Sequence, residues 1–303
     1  MIRVLGTVFA ALMGLAFGSF LNVCLTRWPA GESIVKPRSH CRNCGRTLSW
    51  WENVPLVSWL ALRGRCRTCG VWIGWRYPLV ELTVGSLWAI AAWRFPTNTL
   101  DPNLPRVALF DSLFTTIGAM IFSWLLVALS VLDAEYLWLP NLLTLPAIVV
   151  GFVFSAFSFV AAAALDSVTQ SRPYSFQYPH GEQWQVAMSR LIAILVAAGL
   201  IVLIRWIYKL IRHREGLGLG DAKLMAMLAA WLGLPGALLS FAIGVVLGSL
   251  VAIVLLVRRT KSPTNETWAS TKLPLGTFLC IGGIVSSLWG QPIIAAYMRW
   301  AGF

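Results

Sequence analysis

Residues 192–233 read IAILVAAGLIVLIRWIYKLIRHREGLGLGDAKLMAMLAAWLG. Two apolar runs flank a short basic segment, and three glycines alternate at Gly216, Gly218 and Gly220 just before Asp221. A helix that crosses a bilayer needs roughly 17–25 mostly apolar residues. Alternating glycines make a poor helix and let backbone approach closely. Irregular backbone at membrane depth is tolerated only where it is buried in protein or lines a wet cavity. The stretch therefore predicts two membrane helices with a carboxylate at the break between them. A helix starting at about Ala222 makes Asp221 its N-cap.

The rest of the chain agrees. Of 303 residues, 58% are hydrophobic and only 12% are charged. That is about half the charge share of a soluble domain. So little charge cannot cover a soluble surface, and disorder requires the opposite composition. The net charge of +12 would point to nucleic acid in a soluble protein. In a membrane protein, basic loops fix orientation and meet anionic lipid headgroups, so lipids are the expected partner and direct nucleic-acid binding is not.

Eight spans are predicted, near 4–26, 78–95, 107–130, 142–164, 188–208, 222–238, 239–257 and 273–290, with a tight turn near Gly233–Gly236. The first resembles a signal peptide in place but lacks a strongly basic start. Gly14, Gly18, Ser19 and Asn22 suggest helix packing instead. With the N-terminus outside, inner loops 27–76, 131–141, 205–223 and 258–272 hold nine, none, five and four Lys/Arg, against six on the outer side. This bias predicts both termini outside and the first loop cytoplasmic. The expected fold is an all-α polytopic membrane protein of about eight transmembrane helices, with a small cytoplasmic zinc-ribbon-like insert after the first. Its segments are 1–27, the first helix; 28–77, the tetracysteine loop; and 78–303, the membrane core. Residues 165–187 read as a polar outer loop.

The insert carries Cys41-Arg-Asn-Cys44 and Cys66-Arg-Thr-Cys69, separated by 21 residues. Two knuckles of two thiolates each fold into a tetrahedral sulfur site with no open position, which makes a bound zinc structural. Gly45 and Gly70 follow the pairs, where each knuckle turns sharply. Two disulfides or a redox C-x-x-C are the alternatives, and a basic, cytoplasmic loop disfavours disulfides. His40 is a substitute ligand or a solvated loop histidine. Cys24 and Cys280 read as small packing residues.

Acidic residues in or beside spans carry a functional prior. The candidates are Glu81, Asp111, Asp133, Glu135 and Asp221. The layout puts Asp133 and Asp221, 88 residues apart, at the same face and depth. Taken singly, Asp133 is a solvated helix end and Asp221 a cap. Together they form an acid–base pair, because like charges a few Å apart cannot both ionise readily and the pair holds one proton. The ionised partner activates water while the protonated one donates to the carbonyl or the leaving amine.

The blocks GSFLNVCLTR (18–27), the tetracysteine loop, NVPLVSWLALRGRC (53–66), RYPLVEL (76–82), LDAEYLWLPNLLTLP (132–146), GLGLGDAKL (216–224) and PLGTFL (274–279) together resemble the type IV prepilin peptidases, a family of GxGD aspartic proteases. The resemblance implies a bacterial inner-membrane enzyme that cuts the basic leader of prepilins and pseudopilins after a glycine, on the cytoplasmic side. Those substrates carry a hydrophobic N-terminal helix behind the leader. It also implies N-methylation of the new N-terminus with S-adenosylmethionine. By position, Asp133 and Asp221 match the catalytic pair. The family often has Asp where this chain has Asn141. No glycine-rich cofactor loop follows a strand, so the methyl site is sought around the ribbon, Asn53 and Glu81. Glu81 faces the cofactor, pairs with Arg76, or is a helix-start carboxylate favoured by the macrodipole. The competing readings are a peptidase without methyl transfer, a transporter with an intramembrane carboxylate pair, and a scaffold built on the ribbon. The sequence names neither the pathway served nor the oligomeric state.

Overall fold

The computed structural model describes residues 1–96, 106–169, 183–213, 218–259 and 273–302. Eight α-helices occupy these residues: α1 (Ile2–Arg27), α2 (Val57–Ala61), α3 (Arg76–Trp93), α4 (Arg106–Tyr136), α5 (Asn141–Thr169), α6 (Gln183–Arg212), α7 (Leu219–Arg259) and α8 (Leu275–Trp300). No strand forms among the described residues, only two isolated bridges. The middle of the 165–187 loop, most of the 258–272 loop, and Gly216 lie outside the described residues. The edges of the first of these are helical, since α5 runs to Thr169 and α6 starts at Gln183. The chain falls into two compact units, Met1–Leu104 with Thr115–Ala128, and Pro105–Phe114 with Leu129–Phe303.

In the first unit α1 and α3 touch backbone to backbone. A Cβ on Gly14 would come 2.9 Å from Gly85 Cα, and one on Gly18 would come 2.7 Å from Glu81 Cα. Small residues that admit a neighbouring backbone are the usual means of packing apolar helices in lipid. Here Gly14 and Gly18 play the packing part expected of them. Asn22 continues the seam, its Nδ2 donating to the Tyr77 carbonyl at 3.0 Å. The indole of Trp124 donates to the Phe17 carbonyl at 3.2 Å and that of Trp88 to Met120 at 3.0 Å. Each indole is thus half-buried and gives its N–H an acceptor.

The second unit is organised around α7. Every residue from Leu224 to Ala230 is buried, so this half of α7 is enclosed on all sides. Its chain reverses at Gly233, whose φ of 73° lies in the left-handed region that glycine adopts without penalty. The contacts require the reversal. Gly220 abuts Leu139, which also abuts Gly276, whereas Gly244 abuts Leu279, one turn along α8 from Gly276. A straight helix would carry Gly244 about 36 Å from Gly220. The turn expected near Gly233–Gly236 is therefore present, and α7 holds both spans predicted there. Trp231 fills the space over Gly151 and stacks on Phe154 at 5.5 Å.

Among the described residues, five helical stretches are long and apolar enough to cross a membrane: Ile2–Arg27, Ala108–Tyr136, Ala187–Arg212, Leu219–Val257 and Leu275–Trp300. The difference from the eight expected has identifiable sources. The reversal at Gly233 makes one long stretch out of two. Within α5, Asn141–Phe157 is a shorter apolar helix. α3 opens on Arg76 and carries Glu81, which dilutes its apolar character.

Candidate functional site

Asp133 lies in the last turn of α4, and the helix stops just beyond it, at Leu137 with φ 51°. Its side chain is buried and is held from α8. The Thr277 amide donates to Asp133 Oδ2 at 2.7 Å, and the Thr277 hydroxyl lies 3.2 Å from the same oxygen. That hydroxyl also lies 3.0 Å from the Ser130 carbonyl. A hydroxyl carries a single proton, so Thr277 donates either to the carboxylate or to Ser130. Gly276 makes the approach possible, because a Cβ there would come 2.9 Å from Asp133 Cγ.

Asp221 is also buried, but not as the N-cap expected. α7 begins at Leu219, so Gly218 is the cap and Asp221 stands at the third helical position. From there Asp221 Oδ2 accepts the Gly218 amide at 3.2 Å. This is the returning half of a capping box, which satisfies an orphan amide without non-helical backbone at the aspartate. The two carboxylates lie within electrostatic reach of each other. Leu139 packs against both Gly220 and Gly276, the glycines that neighbour them. Asn141 is exposed and accepts from Lys223 Nζ at 2.6 Å. Glu135 is exposed at the end of α4, and Asp111 sits about 33 Å up the same helix, remote from the pair. Thr277 and Gly276 were missed as site residues. Their signal was a hydroxyl and a glycine at the apolar start of the last span.

In the first unit the Sγ atoms of Cys41, Cys44, Cys66 and Cys69 all lie within 4.8 Å of one another. All four are free thiols, and Cys41 and Cys69 are 3.7 Å apart. A tetrahedral zinc with Zn–S bonds of about 2.3 Å separates its sulfurs by about 3.8 Å, so the donor set fits that ion. Each knuckle closes through its glycine, with Gly45 N bonded to Cys41 O and Gly70 N to Cys66 O, at φ 70° and 67°. The amides of Cys69 and Thr68 hold the Cys66 thiol below its ordinary range. The Val71 amide, aided by the Asn43 side chain, lowers Cys69 to about 6. Such donors favour the thiolate, the form that binds metal. His40 instead turns its ring nitrogen to the Arg38 carbonyl, 3.1 Å away.

Beside this cluster lies a cavity of about 380 Å³, enclosed by α1, the ribbon and the start of α3. Glu81 lines it, buried, with Oε2 accepting the Leu56 amide at 2.8 Å and Ser19 as a further partner. The glutamate therefore ties the segment between the two knuckles, where Leu56 has φ 57°, to α3. Glu52 also lines the cavity. Arg46 holds its carboxyl below the usual range, with help from the Ser49 amide at 2.7 Å.

Two family models match the chain: the bacterial peptidase A24 N-terminal domain over residues 12–95 and the type IV leader peptidase family over residues 120–253. The prepilin leader peptidase/N-methyltransferase of Pseudomonas aeruginosa is 34% identical, covering 96% of this chain and 93% of its own length. That of Stutzerimonas stutzeri is 32% identical over 96% and 93%, and that of Xanthomonas campestris 31% over 98% and 96%. The chain belongs to the type IV leader peptidase family. It is a multi-pass inner-membrane enzyme, and the transporter reading has no support. No solved structure matches the chain.

Proposed function

We propose that this protein cleaves the basic leader of type IV prepilins and pseudopilins after a glycine, using Asp133 and Asp221, and then N-methylates the new N-terminus. The observation that carries the peptidase half is the pair of buried carboxylates from α4 and α7, each fixed by a backbone amide and within electrostatic reach of the other. With one proton between them, the ionised carboxylate takes a proton from water as the water oxygen attacks the scissile carbonyl carbon. The protonated carboxyl gives its proton to the carbonyl oxygen. Collapse breaks the C–N bond: the leaving amine takes the proton from the pair while a hydroxyl of the tetrahedral diol returns one as the carbonyl re-forms, so the pair again holds one. Thr277 serves both states: it donates to Asp133 when that group is ionised and turns to Ser130 when it is protonated.

The cavity beside the cysteines is the place for S-adenosylmethionine. Its volume falls in the range of small-molecule sites, and it mixes carboxylates with Trp59 and Tyr77. The cofactor supplies an electrophilic methyl group when bound. Glu81 fixes the ribbon edge of the site, and the four cysteines hold zinc that keeps the ribbon folded against the cavity. The substrate amine exists only after the peptide bond is cut, so cleavage precedes methylation. The ribbon and the aspartate pair lie on the cytoplasmic side, both termini outside, and the catalytic pair belongs to the 78–303 core. The experiment combines the purified protein in detergent, a leader-bearing prepilin and S-adenosylmethionine. Cleavage at one bond and a product one methyl group heavier support the reading. An uncut substrate defeats the peptidase, and a product never methylated removes the second activity.

A further inference from the structure

Between Asn53 and Arg63 the chain reads Val54-Pro-Leu-Val-Ser-Trp-Leu-Ala-Leu62, nine residues without a charge inside a loop rich in arginine. The run is too short to cross a bilayer, which takes roughly 17–25 residues. Its depth follows from α1. α1 and α3 lie antiparallel along their lengths: Arg3 Nε donates to the Trp93 carbonyl, Gly14 abuts Gly85, Gly18 abuts Glu81, and Arg76 donates to the Thr26 hydroxyl. α1 is long enough to cross a membrane, so α3 shares its depth. The 26 residues of α1 extend about 39 Å, against a hydrocarbon core of roughly 30 Å. Gly18 stands nine residues before Arg27, about 14 Å from that end. With α1 centred on the core, the Glu81 backbone beside Gly18 lies about 9 Å inside the hydrocarbon boundary. Glu81 Oε2 accepts the Leu56 amide at 2.8 Å, which brings the ribbon within one side-chain length of that depth.

We propose that residues 54–62 are a lipid-embedded wedge, which seats the ribbon in the leaflet where α1 ends and places Val57 and Leu60 among acyl chains just below the headgroups. α2 turns Ser58, Trp59 and Leu62 to the cavity and leaves Val57 and Leu60 outward, 62% and 67% exposed. Trp59 packs on Trp72 and Trp75, with ring centroids 5.7 and 4.5 Å apart. Trp75 heads one face of α3 with Leu79 and Leu82, each more than half exposed at i, i+4 and i+7, while Val80, Glu81 and Val84 on the other face are buried. The outward side of the ribbon thus continues a stripe of a membrane helix that lipid already covers. Tryptophan at the end of such a stripe suits the headgroup layer. The backbone fits as well. Irregular backbone at membrane depth needs acceptors within the protein. The amides of Val54, Leu56, Ser58 and Leu60 find them in Trp51 O, Glu81, Val54 O and Leu56 O. Exposed Arg63 and Arg65 follow the run, where anionic headgroups would meet them.

The test uses full-length wild-type protein, with its metal, in vesicles of phosphatidylcholine and phosphatidylglycerol that contain a lipid with a photoreactive diazirine in its acyl chain. After illumination, mass spectrometry should find lipid adducts on Val57 and Leu60 as well as on Leu79 and Leu82. Adducts on the α3 pair with none on residues 54–62 would overturn the wedge. Adducts on neither would overturn the depth assigned to α3 and the wedge with it. A nitroxide carried by an unnatural amino acid at position 60, which leaves the cysteines untouched, gives a second reading. Its spin relaxation should respond to oxygen and lose its response to a water-soluble nickel chelate, as at Leu82 and unlike at the exposed, charged Lys36. A position 60 as open to nickel as position 36 overturns the proposal. So does nickel access that disappears only when a prepilin is added, because a peptide rather than lipid would then cover this face.

Discussion

Asp133, Asp221 and Thr277 come from three helices, with successive members 88 and 56 positions apart in the chain. The four cysteines come from one loop of 29 residues. The aspartates gain their geometry from long-range packing: a backbone amide of α8 on one, the cap of α7 on the other, and glycines where a side chain would collide. The cysteines gain theirs locally, from two turns that each close on a glycine. A region built from distant helix ends depends on the whole membrane core. A region built from knuckles depends on its metal. Damage to the two should therefore have different readouts.

The largest effect is expected at the aspartates. Asp133→Asn and Asp221→Asn keep shape and hydrogen bonding but remove half of the proton-carrying pair, so each should lower leader cleavage by about a thousandfold or more. Zinc content, measured on the same preparations, should not change. Substantial turnover by either variant would sink the pair.

Next comes the metal. Purified protein should carry about one zinc per chain, and paired Cys→Ser changes at Cys41 and Cys44, or at Cys66 and Cys69, should strip it. Because Cys41 and Cys66 also line the cavity, methylation of the cleaved product should fall with it. Metal analysis showing no zinc in an undamaged preparation, or thiols found as disulfides, would end the zinc reading.

Two single-residue changes sharpen the contrast further. Glu81→Ala removes the acceptor of the Leu56 amide at the edge of the cavity. The ratio of methylated to unmethylated product should drop by roughly tenfold, the scale of one buried amide left without its partner. A product that stays fully methylated would take Glu81 out of the site. Thr277→Val leaves the amide that holds Asp133 but deletes the hydroxyl, and kcat for cleavage should fall about tenfold, with Thr277→Ser restoring most of it. If Thr277→Val cleaves normally, the hydroxyl has no part in proton handling.

These differences also explain what could be read from sequence. The cysteine knuckles were legible because spacing and glycines encode them locally. The aspartates were legible because topology placed both at one depth, and the reversal at Gly233 was visible as a glycine and a proline between two apolar runs. The start of α7 was placed three residues late, because a glycine run reads as irregular while tertiary burial of Leu224–Ala230 recruits it into the helix. Thr277 was not read, since nothing local reveals that the start of the last helix reaches the end of the fourth. Asn22 was read as packing, and its amide does pack, on the Tyr77 carbonyl.

The smallest effect is expected at Asn141, where an amide stands beside the first turn of α7. Its side chain accepts from Lys223 Nζ at 2.6 Å at an exposed position, two residues along α7 from Asp221. An amide offers neither a general acid nor a general base, so this contact can steady the first turn of α7 but cannot move a proton. Hydrogen bonds at exposed positions contribute little net stability because water replaces them. Asn141→Ala should therefore cleave within about threefold of wild type. Asn141→Asp turns the contact into an exposed ion pair, worth about 0–1 kcal/mol, and should behave likewise. A loss from Asn141→Ala approaching that of the aspartate variants would mean that the Lys223 contact positions Asp221. The catalytic region would then extend to the surface of the membrane core.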